Sequence, residues 1–149
     1  MKTNWLDLDD LSEGTYSAVY SDVCNSAGMR EKTLEPGAKL LASPSGVLIG
    51  WARTAVSTPV TDIPERPYGG EIDFIDSLNV GDVVVLDCSR KPVAARGELF
   101  STASVGRGAR GAIIDGLLRD KRLVDKLNKF PVFGRGLRPT DILGRVAIS

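Results

Sequence analysis

Residues 96–125 read RGELFSTASVGRGARGAIIDGLLRDKRLVD, and the fold turns on how this stretch is divided. Gly97 opens a helix predicted over 98–105, with Leu99, Ala103 and Val105 on its buried side. Gly106, Gly108 and Gly111 close that helix and make a tight return. Ala112-Ile113-Ile114-Asp115 is a short apolar run of the kind that forms a buried strand, ended by Gly116. Arg119-Asp120 follows as an exposed pair at the strand's far end. It leads into a helix with Leu123, Val124 and Leu127 inward.

Working outward, the clearest strand is Gly81-Asp82-Val83-Val84-Val85-Leu86-Asp87, an apolar run bounded by charges and expected to be buried on both faces. Residues 89–96 read as a turn containing Pro92. Upstream, residues 11–28 predict an amphipathic helix with Val19, Val23 and Ala27 at helical spacing and Gly28 as its stop. Residues 39–60 turn to β character, in short runs at 47–49 and 52–56 that Gly50 separates and Pro44-Ser45-Gly46 and Pro59 bound. Residues 61–70 form a loop, with Pro64, Pro67 and Gly69-Gly70, of the kind that often borders a site. Phe74, Ile75 and Leu78 suggest a short helix ending near Asn79. Downstream come strands at 131–133 and 145–149, with a turn at Pro139-Thr140-Asp141. Alternating strands and helices argue for an α/β layer arrangement in one domain over 1–149.

Composition narrows the chemistry. With 149 residues, 42% hydrophobic and 26% charged, the chain is ordinary for a globular protein. It contains no histidine, which excludes Ser-His-Asp and Cys-His catalysis and histidine-ligated zinc. Cys24 and Cys88 stand far apart without metal or redox spacing, and read as reduced thiols. The first ten residues are too acidic and too weakly apolar for a signal peptide, and no apolar run is long enough to span a membrane. A cytoplasmic location is therefore expected. Net charge is zero but uneven: residues 1–87 carry 6 basic and 14 acidic side chains, residues 88–149 carry 13 and 5. Such asymmetry fits a nucleic-acid face, an anionic-substrate site or a head-to-tail oligomer. Arg107, Arg110, Lys121 and Arg122 have only Phe100 as a neighbouring ring, so direct nucleic-acid binding is not expected.

Within the central stretch, three features converge. Gly97 lets a ligand approach the backbone, and the free N–H groups of the helix start after it favour an anion. Arg119 can pair with a carboxylate. Asp120 offers a hard oxygen ligand for Mg²⁺ or Mn²⁺, with Glu98 placed to hold metal-bound water. The same residues also read as a plain helix start, whose glutamate suits the dipole, and a solvated ion pair.

Gly97-Glu98-Leu99-Phe100, then Gly108 and Gly111, then Ile113-Ile114-Asp115-Gly116-Leu117-Leu118-Arg119-Asp120, then Phe130-Pro131-Val132-Phe133, resemble the RraA-like family. Ser21-Asp22-Val23, Gly50-Trp51-Ala52-Arg53-Thr54 and Gly81-Asp82-Val83-Val84-Val85 extend the resemblance over nearly the whole chain. That family holds the regulators of ribonuclease activity A and the 4-hydroxy-4-methyl-2-oxoglutarate/4-carboxy-4-hydroxy-2-oxoadipate aldolases. The resemblance implies an α/β fold of the layered β/β/α swivelling type, mixed sheets flanked by helices, assembled as a homotrimer or hexamer. It implies a metal-dependent lyase that cleaves a C–C bond of a small 2-oxo acid to give pyruvate, or decarboxylates oxaloacetate. Gly97, Glu98, Leu99, Phe100 and Arg119 would bind substrate, Asp120 would bind Mg²⁺ or Mn²⁺, and Arg119, Asp120 and Glu98 would be the catalytic set. The alternative it implies is a non-catalytic regulator that binds a ribonuclease or RNA helicase and inhibits RNA processing. Two departures accompany it. Family aldolases commonly carry an acidic residue at the place of Leu123, and the family's C-terminal segment beyond Ser149 is expected to be lacking.

Overall fold

Strand β3 (Asp82–Asp87) lies at the centre of the molecule's larger sheet, because Val83, Val84 and Leu86 can be buried on both of its faces. The computed structural model describes residues 11, 15–43 and 47–148. The expectations placed on residues 1–10, 12–14, 44–46 and Ser149 lie outside the described residues. The chain divides into two units, residues 1–36 and 37–149.

The first unit holds helix α1 (Ser17–Ser26). It is shorter than the predicted 11–28, and none of its residues is buried, so Val19 and Val23 do not form the inward stripe their spacing suggested. Gly28 does follow its end, in the left-handed region at φ 77°.

The second unit contains two sheets. The larger is mixed, with strand order β1 (Lys39–Ala42), β7 (Val132–Gly134), β5 (Gly111–Asp115), β3, β2 (Trp51–Pro59) and β9 (Val146–Ile148). Its four inner strands run parallel, and β1 and β9 pair antiparallel at the edges. The smaller sheet is β4 (Ala94–Arg96), β6 (Leu117–Leu118) and β8 (Gly136–Leu137), all parallel. The neighbouring strands β3, β5 and β7 thus each lead to the next short strand, and the small sheet keeps their order. Gly116 marks one of these transitions: its carbonyl accepts from the Arg135 N–H at 2.8 Å, and a Cβ there would lie 2.8 Å from that of Cys88. Helices α2 (Gly69–Asp76), α3 (Glu98–Gly106) and α4 (Lys121–Val124) belong to the same unit, which is the expected α/β layering, with the larger of its two sheets mixed and the smaller one parallel. Val84, Ile114, Leu118, Val124, Phe130, Val132 and Ile142 form the driest part of its core. Each such burial contributes about 1.5–3 kcal/mol relative to exposure.

Several local expectations change. Residues 47–50 carry no regular structure, and one strand runs from Trp51 to Pro59 instead of two short runs. Gly50 sits against the Gly81 carbonyl, 2.6 Å from where its Cβ would be, so it serves close approach at the strand's entry. Gly69 and Gly70 begin α2 and do not end the preceding loop; that helix stops at Asp76, before Asn79. The turn predicted over 89–96 gives way to β4 in its last three residues. In α3 the buried residues are Ser101 and Ser104, while Leu99, Ala103 and Val105 are exposed. The helix covers a buried arginine there, so hydroxyl groups turn inward where apolar ones were expected. In α4, Val124 is buried and Leu127 packs on the core, but Leu123 is exposed. A single α-helical turn passing into a 3₁₀ turn at Asp125–Leu127 cannot sustain a 3.6-residue stripe.

Candidate functional site

The small sheet positions the site. Gly97 directly follows β4, and Arg119-Asp120 directly follows β6, its parallel neighbour. The Arg119 N–H donates to the Arg96 carbonyl at 2.9 Å, which continues the ladder and brings the two loops together. Asp120 adopts the left-handed region at φ 56° as it caps α4. Its Oδ2 accepts from the Glu98 N–H at 3.3 Å, at the first turn of α3.

Gly97 has ordinary extended backbone, so its value is space and not conformation. A Cβ there would stand 2.7 Å from Asp120 Oδ2 and 3.1 Å from both Cγ and Nε of Arg119. Any other side chain would push against the ion pair. Arg119 Nε lies 3.4 Å from Asp120 Oδ2, and its Nη1 lies 3.6 Å from Asp141 Oδ2. The guanidinium is 32% exposed and the Asp120 carboxylate 39%, so both are reachable from solvent while held by neighbours.

A cleft of about 180 Å³ is lined by Gly97, Leu99, Phe100, Arg119 and Asp120 of the predicted set, together with Tyr68, Ile72, Ala94 and Asp141. Glu98 is not part of that lining; its carboxylate accepts from Thr102 Oγ1 at 2.7 Å on its own helix. The structure therefore brings together Gly97, Leu99, Phe100, Arg119 and Asp120, and ties Glu98 to them through its backbone. Among the described residues no three acidic or thiol side chains cluster as a metal cage. Asp120 is the cleft carboxylate that stands against Gly97, and Asp141 lines the same cleft beyond Arg119. A hard divalent ion that keeps most of its waters fits such a donor, with the remaining positions filled by solvent or substrate.

Two cleft residues escaped the sequence reading. Tyr68 donates to Asp141 Oδ2 at 2.5 Å and meets Phe100 edge-on, with ring centroids 6.0 Å apart. The hydrogen bond to Asp141, with burial behind it, pushes the Tyr68 phenol above its usual pKa. The second oxygen of Asp141 accepts from the Ile142 N–H at 2.7 Å, which fixes the carboxylate that faces Arg119. Both residues lay in segments read as a loop and a turn. The only available signal was that the 61–70 loop had the composition of one bordering a site. A second cleft, of about 290 Å³, shares Arg119 and Asp120 and is otherwise lined by Leu118, Lys121, Leu137, Arg138 and Pro139.

No functionally curated protein matches the chain significantly. Solved structures do. One reported among novel cellulases from microbes associated with the gut ecosystem superposes with a TM-score of 0.85 at 26% identity, covering 99% of this chain and 67% of that one. An uncharacterized protein from Pseudomonas syringae pv. tomato str. DC3000 gives 0.73 at 24% identity, over 95% and 63%. Streptomyces coelicolor RraAS2, an unusual member of the RNase ES inhibitor RraA protein family, gives 0.74 at 22% identity, over 90% and 65%. The last two likenesses concern the fold alone, and this chain spans about two thirds of the length of all three. The RraA-like family profile, described as Aldolase/RraA, matches residues 17–147, and the chain belongs to that family.

Proposed function

We propose that this chain is a carbon–carbon lyase that cleaves a 2-oxo acid to pyruvate with Mg²⁺ or Mn²⁺, in the manner of a 4-hydroxy-4-methyl-2-oxoglutarate aldolase or an oxaloacetate decarboxylase. One observation carries the reading: the bare backbone of Gly97 lies within a methyl group's reach of both Arg119 and Asp120. The cleft that opens in front of them suits a small carboxylate lying against the first turn of α3, where the leading N–H groups lack intrahelical acceptors. Leu99 and Phe100 would flank it and restrict water. When bound at Asp120, the ion supplies Lewis-acid polarisation of the 2-oxo group. Arg119 presents fixed positive charge to the oxygen where negative charge gathers as the C–C bond breaks and the pyruvate enolate forms. Asp120 and Asp141 on either side keep that guanidinium in one orientation. Glu98 is assigned to ordering water at the helix start. Oxaloacetate would pass through the same enolate with carbon dioxide leaving.

The test is pyruvate release from oxaloacetate with Mg²⁺, before and after chelation, in the wild type and in Asp120→Asn. Chelation is expected to abolish turnover, and Asp120→Asn to cost at least ~100-fold. Turnover that survives both would sink the lyase reading.

A regulator of a ribonuclease or RNA helicase is the second reading. Leu123 favours it, because an exposed leucine stands where family aldolases commonly carry an acid, and Leu99 at the cleft mouth is 72% exposed. Retention of a purified ribonuclease or helicase on the immobilised protein, insensitive to chelator, would support it. No retention would count against it. In either case the chain is proposed to work as a homo-oligomer, a trimer or hexamer.

A further inference from the structure

Arg96 is 3% exposed, and among the described residues no carboxylate pairs with it. Burial alone pushes its guanidinium down to about 9, so it still carries its charge at neutral pH. A lone buried cation is costly unless its donors are used. Here they go to one element. Nε donates to Ser101 Oγ at 3.3 Å, and Nη2 donates to the Phe100 carbonyl at 3.0 Å and to Ser104 Oγ at 2.5 Å, all on α3. The Phe130 ring lies 5.7 Å from the guanidinium carbon and closes the other side.

Two relays lead on from these contacts. Ser101 Oγ donates in turn to the Gly97 carbonyl at 2.7 Å, and Ser104 Oγ donates to the Phe100 carbonyl at 2.8 Å. The first relay ends on a functional atom. The Gly97 carbonyl and the Glu98 N–H belong to one planar peptide. Holding that carbonyl orients the N–H that points at Asp120 Oδ2, and a charge-assisted chain of donors polarises the peptide in the same sense.

We propose that Arg96 is a positioning residue: through Ser101 it fixes the Gly97–Glu98 peptide, whose N–H holds the Asp120 carboxylate at the edge of the proposed substrate subsite. The inference rests on that subsite as proposed above, though not on the lyase chemistry. The second relay, through Ser104, ends inside the helix and serves stability only.

The test measures binding of oxalate, a small planar dicarboxylate, by calorimetry in saturating Mg²⁺. Arg96→Met and Ser101→Ala are each expected to weaken the Kd about 10-fold, and the double variant no further than either single, because both break one relay. Arg96→Lys, which keeps one donor for Ser101, should recover part of the loss. Ser104→Ala should lower the Tm yet leave the Kd within about 2-fold of the wild type. Equal weakening by Ser101→Ala and Ser104→Ala would overturn the proposal, because the arginine would then be a structural strut alone. Additive losses, or an unchanged Kd in Ser101→Ala, would do the same. If Arg96→Met does not fold, the contrast between the two serine variants decides the matter. Oxaloacetate turnover on the same samples keeps the two ideas apart. Wild type that binds oxalate but releases no pyruvate overturns the lyase reading and leaves the relay to the Kd values. Wild type that binds no oxalate overturns the relay.

Discussion

Gly97 has no strained backbone to explain it; what sets it apart is how closely Arg119 and Asp120 stand against it. In Gly97→Ala the new methyl would meet Asp120 Oδ2 at 2.7 Å, and a side-chain tip can swing aside where a backbone could not. The fold should therefore survive with a Tm close to wild type. The displaced carboxylate is expected to cost about 100-fold in oxaloacetate turnover, the scale of a 1 Å misplacement at a reacting centre. Wild-type turnover in this variant would mean that the Gly97 space is not the substrate's. Glu71 makes a different point. It is 4% exposed, and burial raises its carboxyl above the ordinary range, against the pull of the backbone N–H groups of Glu71 and Ile148. An acid whose pKa is higher folded than unfolded binds its proton more tightly in the native state. Its ionised form thus costs stability above the ordinary carboxylate range, and the cost is relieved as pH falls through the raised value. Glu71→Gln should melt higher than wild type near pH 8, with the gap closing towards pH 4. A gap that widens on acidification would contradict the burial argument.

At the scale of elements, α3 and the three short strands matter most. The helix presents serines to the core because β4, beneath its start, ends in a buried arginine. An apolar face there would have removed the two hydroxyl acceptors, Ser101 and Ser104, and left the guanidinium only the Phe100 carbonyl on that helix. The strands β4, β6 and β8 are two or three residues long, and each exists because its longer neighbour in the chain has already been placed in the large sheet. Helix α2 is held by an equally close contact. A Cβ on Gly70 would fall 1.8 Å from the Ile148 carbonyl oxygen of β9. Here the obstacle is backbone, so Gly70→Ala must lift the helix from the strand. A loss of about 1–3 kcal/mol is expected from overpacking, read as a lower urea midpoint at unchanged slope. An unaltered midpoint would show that α2 and β9 part without cost.

Over the whole molecule, the core and the site share one unit. Cys88 is wholly buried in that core, and burial with Asp87 and Asp115 nearby pushes its thiol up to about 12. It should be inert to iodoacetamide in the native protein at pH 8, because only a thiolate reacts and the reagent must reach it. Mass spectrometry is expected to find at most Cys24 modified before unfolding and both thiols modified in denaturant. Native labelling at Cys88 would reveal opening of the central sheet. Among the described residues no helix is long and apolar enough to cross a membrane.

By itself, the sequence determined the two central strands and the helix that starts after Gly97. Each of these is written in local periodicity or in a glycine stop, which only neighbours in the chain need to read. It placed Arg119-Asp120 at the end of the 112–115 strand, whereas the pair follows the separate strand β6. It determined the family as well, through the run from Gly97 to Asp120. Only the tertiary structure decided that Tyr68 and Asp141, 73 residues apart, close the other side of the cleft. Likewise, β4, β6 and β8 follow directly on turns and glycines within segments read as turn, strand end or loop, so the small sheet that carries the site was invisible before packing. The largest surprise was the inner face of α3. Helical spacing assigned Leu99, Ala103 and Val105 to the core, since periodicity assumes that what lies beneath a helix is apolar. Beneath this one lies the Arg96 guanidinium, which the helix satisfies with hydroxyl and carbonyl oxygens.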